Sequence, residues 1–111
     1  DKSISFRAAL DSYPDIPEAI VCANDDSAFR ISSLLMERGL KIPDDVAITG
    51  FDNDEFDAFS PFFTTVDCNA FILGHRMVQQ LIWRMNHPDA PFETITISST
   101  PIYRRSSQKG R

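Results

Sequence analysis

The sequence has few of the residues that metal, redox or disulfide chemistry requires. Its 111 residues include two cysteines and two histidines. Cys22 and Cys68 form no CxxC pair, and two cysteines are too few for a disulfide framework. His75 and His87 are isolated from each other in the sequence and do not make a zinc site, so we expect no bound metal.

Familiar catalytic and membrane signatures are also missing. There is no GxSxG nucleophile elbow and no GxxxxGK[ST] phosphate loop. No run approaches the roughly 18 apolar residues of a membrane helix, and the first residues lack the basic start and apolar stretch of a secretory signal. We therefore expect no enzyme, no cofactor and no contact with a membrane.

The charge is distributed unevenly along the chain. Residues 101–111 carry four basic side chains and no acid, whereas residues 1–100 carry seven basic and sixteen acidic side chains. An acidic surface repels phosphate backbones, so direct contact between this chain and DNA is not expected. The basic end is expected to be a solvated, frayed tail.

The hydrophobic pattern predicts alternating helices and strands. Apolar runs at 18–23 and 46–51 are typical of buried parallel strands, and a helix at about 26–38 connects them. The strongest helical periodicity covers residues 70–86. The other predicted elements are the end of a helix at 3–12, a short extended piece at 64–66, an alternating strand at 94–98 and an edge strand at 102–103. The predicted class is α/β with a mainly parallel sheet.

Polar side chains follow both buried strands. Asn24 and Asp25 come after the first strand and Asp52 after the second, where parallel sheets usually bind ligands. An amide beside a carboxylate suits a polyhydroxylated ligand, because the two together donate and accept hydrogen bonds. On local grounds helix capping is the favoured explanation of Asn24 and Asp25, and a turn explains Asp52 as well as ligand binding does. A magnesium-dependent phosphotransfer site is a further alternative, although no basic residue lies near either cluster in sequence.

A series of motifs is similar to lactose-repressor-type (LacI/GalR) transcription regulators. The segment 18–25, EAIVCAND, resembles their strand-plus-Asn-Asp signature, and 38–53, RGLKIPDDVAITGFDN, resembles "GL-x-(V/I)-P-x-D-(V/I)…GFD(D/N)". SPFFTTV at 60–66 resembles "SPPLTTV", and IYRRSS at 102–107 resembles the closing "(V)-x-R-x-S" run. The motifs occur in unbroken order, and such a series is far more specific than any one of them.

The resemblance implies a periplasmic-binding-protein-like (class I) fold, in which two α/β lobes enclose an effector and the chain crosses between them three times. Residues 1–63 would belong to the C-terminal lobe and residues 64–98 would return to the N-terminal lobe. Residues 99–111 would form the closing strand and the basic tail. We therefore expect an incomplete two-lobe domain, with the helix-turn-helix that binds DNA absent from this chain.

The resemblance also implies site residues. Asn24 and Asp52 match positions that bind the effector, usually a sugar or nucleobase. Cys68 stands where the family commonly has Gln near the cleft. The loop from Asp52 to Pro61 is about one residue shorter than usual, which leaves the effector unidentified.

The expected function is therefore effector sensing in a cytoplasmic LacI-type regulator that controls DNA binding allosterically. The alternative is an extracytoplasmic sugar-binding protein of a transporter. The resemblance further implies a homodimer, for which Phe29, Met36, Phe56 and Phe59 are the candidate contacts. Packing of all four within the lobe is the competing explanation.

The helix predicted at 70–86 carries more apolar side chains than one chain of this length is expected to cover. We predict that it folds back on the chain's own sheet or, the arrangement we favour, associates with another copy.

Overall fold

The computed structural model describes residues 2–54 and 61–110. In these residues, three helices and four short strands follow one another: α1 Lys2–Asp11, β1 Ala19–Val21, α2 Asp25–Glu37, β2 Ala47–Thr49, β3 Thr65–Asp67, α3 Ala70–Asn86 and β4 Thr100–Ile102. A 3-10 turn, Arg105–Ser107, comes after β4. The predicted α/β class is confirmed, and α2 and α3 occupy the predicted segments.

A strand–helix–strand unit forms the centre of the fold. β1 and β2 are parallel, with Ile20 opposite Ile48, and α2 makes the connection between them. Asn24 caps the start of α2, and Gly39 adopts a φ of +80° two residues after its end. A parallel connection needs an element of this length, and these two residues define where it starts and stops.

A second, antiparallel pair joins the edge of that unit. β3 pairs with β4, with Val66 opposite Pro101. An isolated parallel bridge between Thr49 and Thr64 connects β2 to the residue preceding β3. The order along this part of the molecule is therefore β1, β2, β3 and β4.

The hydrophobic core lies between α1, α2 and the β1–β2 pair. Its fully or almost fully buried apolar members are Leu10, Cys22, Ala28, Leu34, Leu35, Val46, Ile48 and Phe63. Cys22 is a buried small hydrophobe, as its apolar surroundings in the sequence predict.

The strand predicted at 94–98 does not form. These residues carry no regular secondary structure, and the strand that does form, Thr100–Ile102, begins after them. Alternation marks a chain suited to a sheet, but a strand also needs a neighbour to complete its hydrogen bonds. None of the described strands pairs with residues 94–98.

The prediction of a frayed basic end is wrong for residues 104–107. Ser106 is fully buried, and its hydroxyl donates to the Ile48 carbonyl at 2.6 Å. The same hydroxyl accepts from the Thr64 amide at 2.8 Å. The closing segment is thus held against β2 and β3 by hydrogen bonds that its own sequence does not indicate.

Helix α3 stands away from the core. None of its residues is buried, and its apolar side chains include Phe71, Val78, Leu81, Ile82 and Met85, all more than half exposed. The chain measures 59 × 31 × 22 Å with a radius of gyration of 18.7 Å, against about 13 Å for a compact domain of this length. The folded-back arrangement of α3 is therefore not adopted. Association with another copy stays a prediction.

Candidate functional site

Asp25 holds together the two polar segments that follow β1 and β2. Its side chain is almost fully buried, with an exposed fraction of 4%. Oδ1 accepts from the Thr65 hydroxyl at 2.8 Å, and Oδ2 accepts from the Asp54 amide at 2.8 Å. The Asp25 amide donates to the Phe51 carbonyl at 3.0 Å. The two polar segments, each of which follows a buried parallel strand, therefore meet at one edge of the sheet.

Gly50 provides the space that Asp25 occupies. A Cβ at position 50 would lie 2.1 Å from Asp25 Oδ1 and 3.0 Å from its Cα. Since part of that contact is with backbone, no side-chain rotation relieves it completely. The close approach of α2 to the end of β2 therefore requires glycine at this position.

Asn24 caps α2, which confirms the structural alternative considered for it. Its Oδ1 accepts from the Ser27 amide at 2.8 Å, and its backbone is extended, with φ −156°. Capping uses the side-chain oxygen of Asn24. The side-chain NH2 makes no hydrogen bond within the described residues. Asn24 is thus available to a ligand mainly as a donor.

Asp52 lies in the turn after β2, in the loop of residues 51–54, hereafter the rim loop. Its side chain is exposed and makes no hydrogen bond to the part of the chain that the structure describes. Its amide donates to the Val66 carbonyl at 3.0 Å, and its φ is +96°. This conformation is uncommon for a residue with a side chain and persists only where neighbouring contacts enforce it.

Asn53 connects the rim loop to β3 and to the end of the chain. Its amide donates to Thr65 Oγ1 at 3.1 Å, and its side-chain NH2 donates to Asp67 Oδ2 at 3.2 Å. Its Oδ1 accepts from Arg104 Nη2 at 2.9 Å. Every polar group of this side chain is therefore used within the protein.

Cys68 follows β3, immediately after Asp67, which lies beside Asn53. The Cys68 side chain is half-buried and its thiol is free. Cys22 is also a free thiol, and burial raises its pKa to about 11. Cys22 belongs to the core, so of the two thiols only Cys68 lies near the rim loop.

The predicted dimer contacts on α2 are exposed. Phe29 and Met36 are 53% and 58% exposed, and they border a groove of about 200 Å³ together with Ile42, Phe62 and Phe63. Phe56 and Phe59, the other two candidates, lie outside the described residues. The two α2 residues thus form part of one exposed apolar surface.

His87, a histidine considered as a metal ligand, contacts the end of α3. The rings of His87 and Trp83 stack with their centroids 4.4 Å apart, and His87 Nδ1 lies 2.8 Å from the Trp83 carbonyl. No group of three His, Cys, Asp or Glu suited to a metal occurs within residues 2–54 and 61–110. In the same ranges, no helix is long and apolar enough to cross a membrane.

Sequence reasoning missed the most connected residues of this site. The sequence indicates Asp25 only as a cap or a ligand, and it indicates no separate role for Thr65, Asn53 or Arg104. The signal that could have found them is the position of Gly50. A small residue at the end of a strand indicates that another part of the chain approaches closely there.

The comparisons with known proteins agree with this architecture. The family model described as "Periplasmic binding protein-like domain" matches residues 2–107. The repressor PurR of Mannheimia succiniciproducens is 36% identical over 96 residues, which are 86% of this chain and 29% of the relative. The PurR of Histophilus somni strain 129Pt is 34% identical over 92 residues, 82% of this chain and 28% of the relative. The chain thus spans less than a third of these relatives.

Solved structures give the same result. The ribose operon repressor of Lactobacillus acidophilus superposes with a TM-score of 0.82 at 30% identity, covering 97% of this chain and 40% of that one. A LacI family regulator from Enterococcus faecium, solved with bound ribose, superposes with a TM-score of 0.78 at 27% identity, covering 95% and 38%. This chain belongs to the periplasmic binding protein-like domain family and forms part of an effector-binding domain of the LacI type.

Proposed function

We propose that this chain senses a small hydroxylated effector in the cytoplasm as part of a transcription regulator. Binding at the rim loop shifts the regulator between two states that differ in affinity for DNA. DNA is contacted by a helix-turn-helix domain outside these residues, and the chain has no catalytic role. The regulators among the relatives support this proposal over a transporter component.

The observation that carries the proposal is the state of Asp52. Its carboxylate is exposed and unengaged, while the backbone around it is fixed by Val66, Asp25 and Thr65. A free carboxylate on a fixed loop accepts hydrogen bonds from two neighbouring hydroxyls without first giving up partners of its own. The Asn24 NH2 supplies a donor on the adjoining segment.

The division of the chain into lobes is part of the proposal. Residues 1–63 form one lobe around the core, residues 64–98 lead into the second lobe, and residues 99–111 return. The exposed apolar side of α3 supports this division, because such a surface is stable when covered by further protein. Cys68, directly after β3, then lies close to the first crossing and borders the effector.

The test is calorimetric titration of the complete protein that carries this chain. D-ribose, the ligand of the Enterococcus faecium regulator, is the first probe, followed by other pentoses, hexoses and nucleobases. For a compound that binds, Asp52→Ala is expected to weaken affinity by about 1.5–3 kcal/mol, the value of a charge-assisted hydrogen bond. Unchanged affinity in this variant would rule out Asp52 as an effector ligand.

The matched control is Asp44→Ala, because Asp44 is also exposed but lies before β2, at the opposite end of the strand. It removes the same charge from the same lobe. Equal losses for both variants would indicate a general effect of charge. A protein that binds none of these compounds and shows no operator binding would contradict the proposed function itself.

We further propose that the complete protein is a homodimer that pairs through the α2 surface. Phe29 and Met36 lie together on an exposed side of α2, next to its buried residues Ala28 and Leu35. Apolar side chains exposed together on one helix favour association. Phe56 and Phe59 remain additional candidates for the same interface.

A further inference from the structure

Arg104 makes an unusual set of contacts for a charged side chain. It is partly buried, and its two terminal nitrogens reach different elements: Nη2 donates to Asn53 Oδ1 at 2.9 Å and Nη1 donates to the Phe63 carbonyl at 3.2 Å. It forms no ion pair within residues 2–54 and 61–110. Its charge therefore strengthens two hydrogen bonds to neutral acceptors.

The contact with Asn53 determines how that side chain is oriented. The guanidinium requires an acceptor, and the Asp67 carboxylate on the other side requires a donor. Only one orientation of the Asn53 amide satisfies both, since exchanging its oxygen and nitrogen would break both bonds. Asp67, at the end of β3, and Arg104, shortly after β4, thus together fix the orientation of the Asn53 side chain.

Asn53 in turn fixes Asp52. The two residues are consecutive and both have positive φ, +96° and +55°. Side-chain-bearing residues keep such conformations only where their surroundings enforce them. The contacts that hold the Asn53 side chain therefore act together with the backbone bonds to Val66, Thr65 and Asp25 in holding the Asp52 carboxylate in its exposed position.

The same network extends towards α3. Asp67 Oδ1 accepts from the Asn69 amide at 2.7 Å, and the Asn69 side chain donates to the Ser98 carbonyl at 2.7 Å. Asn69 precedes α3, and Ser98 precedes β4. A continuous set of hydrogen bonds therefore connects the rim loop to both segments that lead to and from α3.

We propose that Arg104 is a positioning residue for effector binding. Through Asn53 it holds Asp52 ready for a ligand and links the rim loop to β3 and β4. A shift of either strand relative to the core changes the geometry at Asp52, and a ligand on Asp52 favours one placement of the strands. The role in binding rests on the proposed function, whereas the role in ordering the rim loop does not.

The experiment measures amide hydrogen exchange in the complete protein without any ligand. Arg104→Met keeps much of the apolar stem and removes both hydrogen bonds. We expect exchange of the amides of residues 52–54 to accelerate at least about ten-fold, with core amides of α2 unchanged. Arg105→Met is the matched control, because Arg105 is adjacent and exposed and makes no side-chain hydrogen bond within the described residues.

Unchanged exchange at 52–54 in Arg104→Met would overturn the proposal. Acceleration spread evenly over the protein would also overturn it, because it would indicate a general structural role.

Arg104→Lys keeps the charge but places a single nitrogen where two are needed. Its exchange is expected to lie between those of Arg104→Met and the wild type. Wild-type protection in this variant would show that charge alone suffices, against the proposal.

Ligand titration separates the role of Arg104 in binding from its role in ordering the rim loop. If D-ribose binds the wild type, Arg104→Met should raise the Kd for D-ribose about ten-fold. In the Asp52→Ala background, Arg104→Met should raise the Kd little further, because the carboxylate that Arg104 positions is gone. Fully additive losses would contradict the positioning role. If D-ribose does not bind, the choice of probe fails, and the exchange measurement still decides the role of Arg104.

Discussion

The Thr65 hydroxyl donates to Asp25 Oδ1 across 2.8 Å, and both residues are buried. Asp25 opens α2 and Thr65 opens β3, so the bond joins the helix of the central unit to the strand that leaves it. The second Asp25 oxygen accepts from the rim loop at the Asp54 amide. One carboxylate therefore fixes the candidate site, the departing strand and the helix relative to one another.

Asp25→Asn should destabilise the complete protein by about 1.5–3 kcal/mol, the value of hydrogen bonds to a charged group. The amide keeps one acceptor where the structure uses two. Urea unfolding measures the loss. Asp26→Asn is the control, since Asp26 sits beside it and is partly exposed in an (i, i+4) pair with Arg30, which is worth only about 0.3–0.5 kcal/mol. Equal losses in the two variants would contradict the central role of Asp25.

Gly50→Ala should be severely destabilising or prevent folding, because the added Cβ lies 2.1 Å from Asp25 Oδ1. Relief requires α2 to move away from β2 and exposes part of the core. Gly74→Ala in α3 provides the comparison, since a Cβ there meets no described atom within 4 Å. It should be neutral or stabilise the helix by up to about 1 kcal/mol. Thermal unfolding of both variants tests the difference, and a stable Gly50→Ala protein would refute the packing described.

The buried Cys22 thiol predicts a loss of stability at alkaline pH. Burial raises its pKa from 9.0 to about 11 in the folded protein. The unfolded chain therefore releases this proton first, so this contribution to stability is complete below pH 9.0 and is lost as the pH rises to about 11. The expected loss is on the order of 2–3 kcal/mol.

The measurement is the difference in unfolding free energy between pH 8 and 10.5 for the wild type and Cys22→Ala. The variant is less stable at pH 8 but should lack this part of the alkaline decline. Cys68 should react faster than Cys22 with a thiol reagent at pH 8, because it is only half-buried. The opposite order of reactivity would contradict the burial of Cys22.

Phe29→Glu and Met36→Glu should each weaken dimerisation of the complete protein at least about ten-fold, since a charge would be placed in an apolar contact. Analytical ultracentrifugation across micromolar concentrations provides the measurement. Tyr13→Glu is the control, because Tyr13 is also exposed and belongs to the same lobe but lies outside α2. A wild-type protein that is monomeric throughout this range would refute the proposed dimer.

The 111-residue chain by itself should associate through α3. Leu81 and Ile82 are each more than half exposed, and covering such a side chain is worth up to about 1.5–3 kcal/mol. The double variant Leu81→Lys and Ile82→Lys should be monomeric, whereas Gln79→Glu should still associate. Sedimentation of the three proteins tests this, and a monomeric wild-type chain would show that α3 tolerates solvent.

The boundaries of α2 are an example of what the sequence determined by itself. Asn24 caps the helix and Gly39 follows its end, both through contacts and conformations within a few residues. The apolar runs around β1 and β2 likewise indicated buried parallel strands, because burial on both faces selects such residues. The linked motifs identified the family, and the exposure of Asp52 followed from its position after β2.

Tertiary structure decided every feature that depends on a distant partner. Asp25 and Asp26 are adjacent acids, yet only Asp25 is buried, because Thr65 approaches from forty residues along the chain. Arg104 and Arg105 differ in the same way, since Asn53 and Phe63 accept from the first alone. Residues 94–98 have the alternation of a strand, but none of the strands in residues 2–54 and 61–110 lies beside them to complete their hydrogen bonds. Local sequence limits the structures that a segment is able to form. Contacts with distant segments select one of those structures, because buried polar groups require partners that the local sequence does not supply.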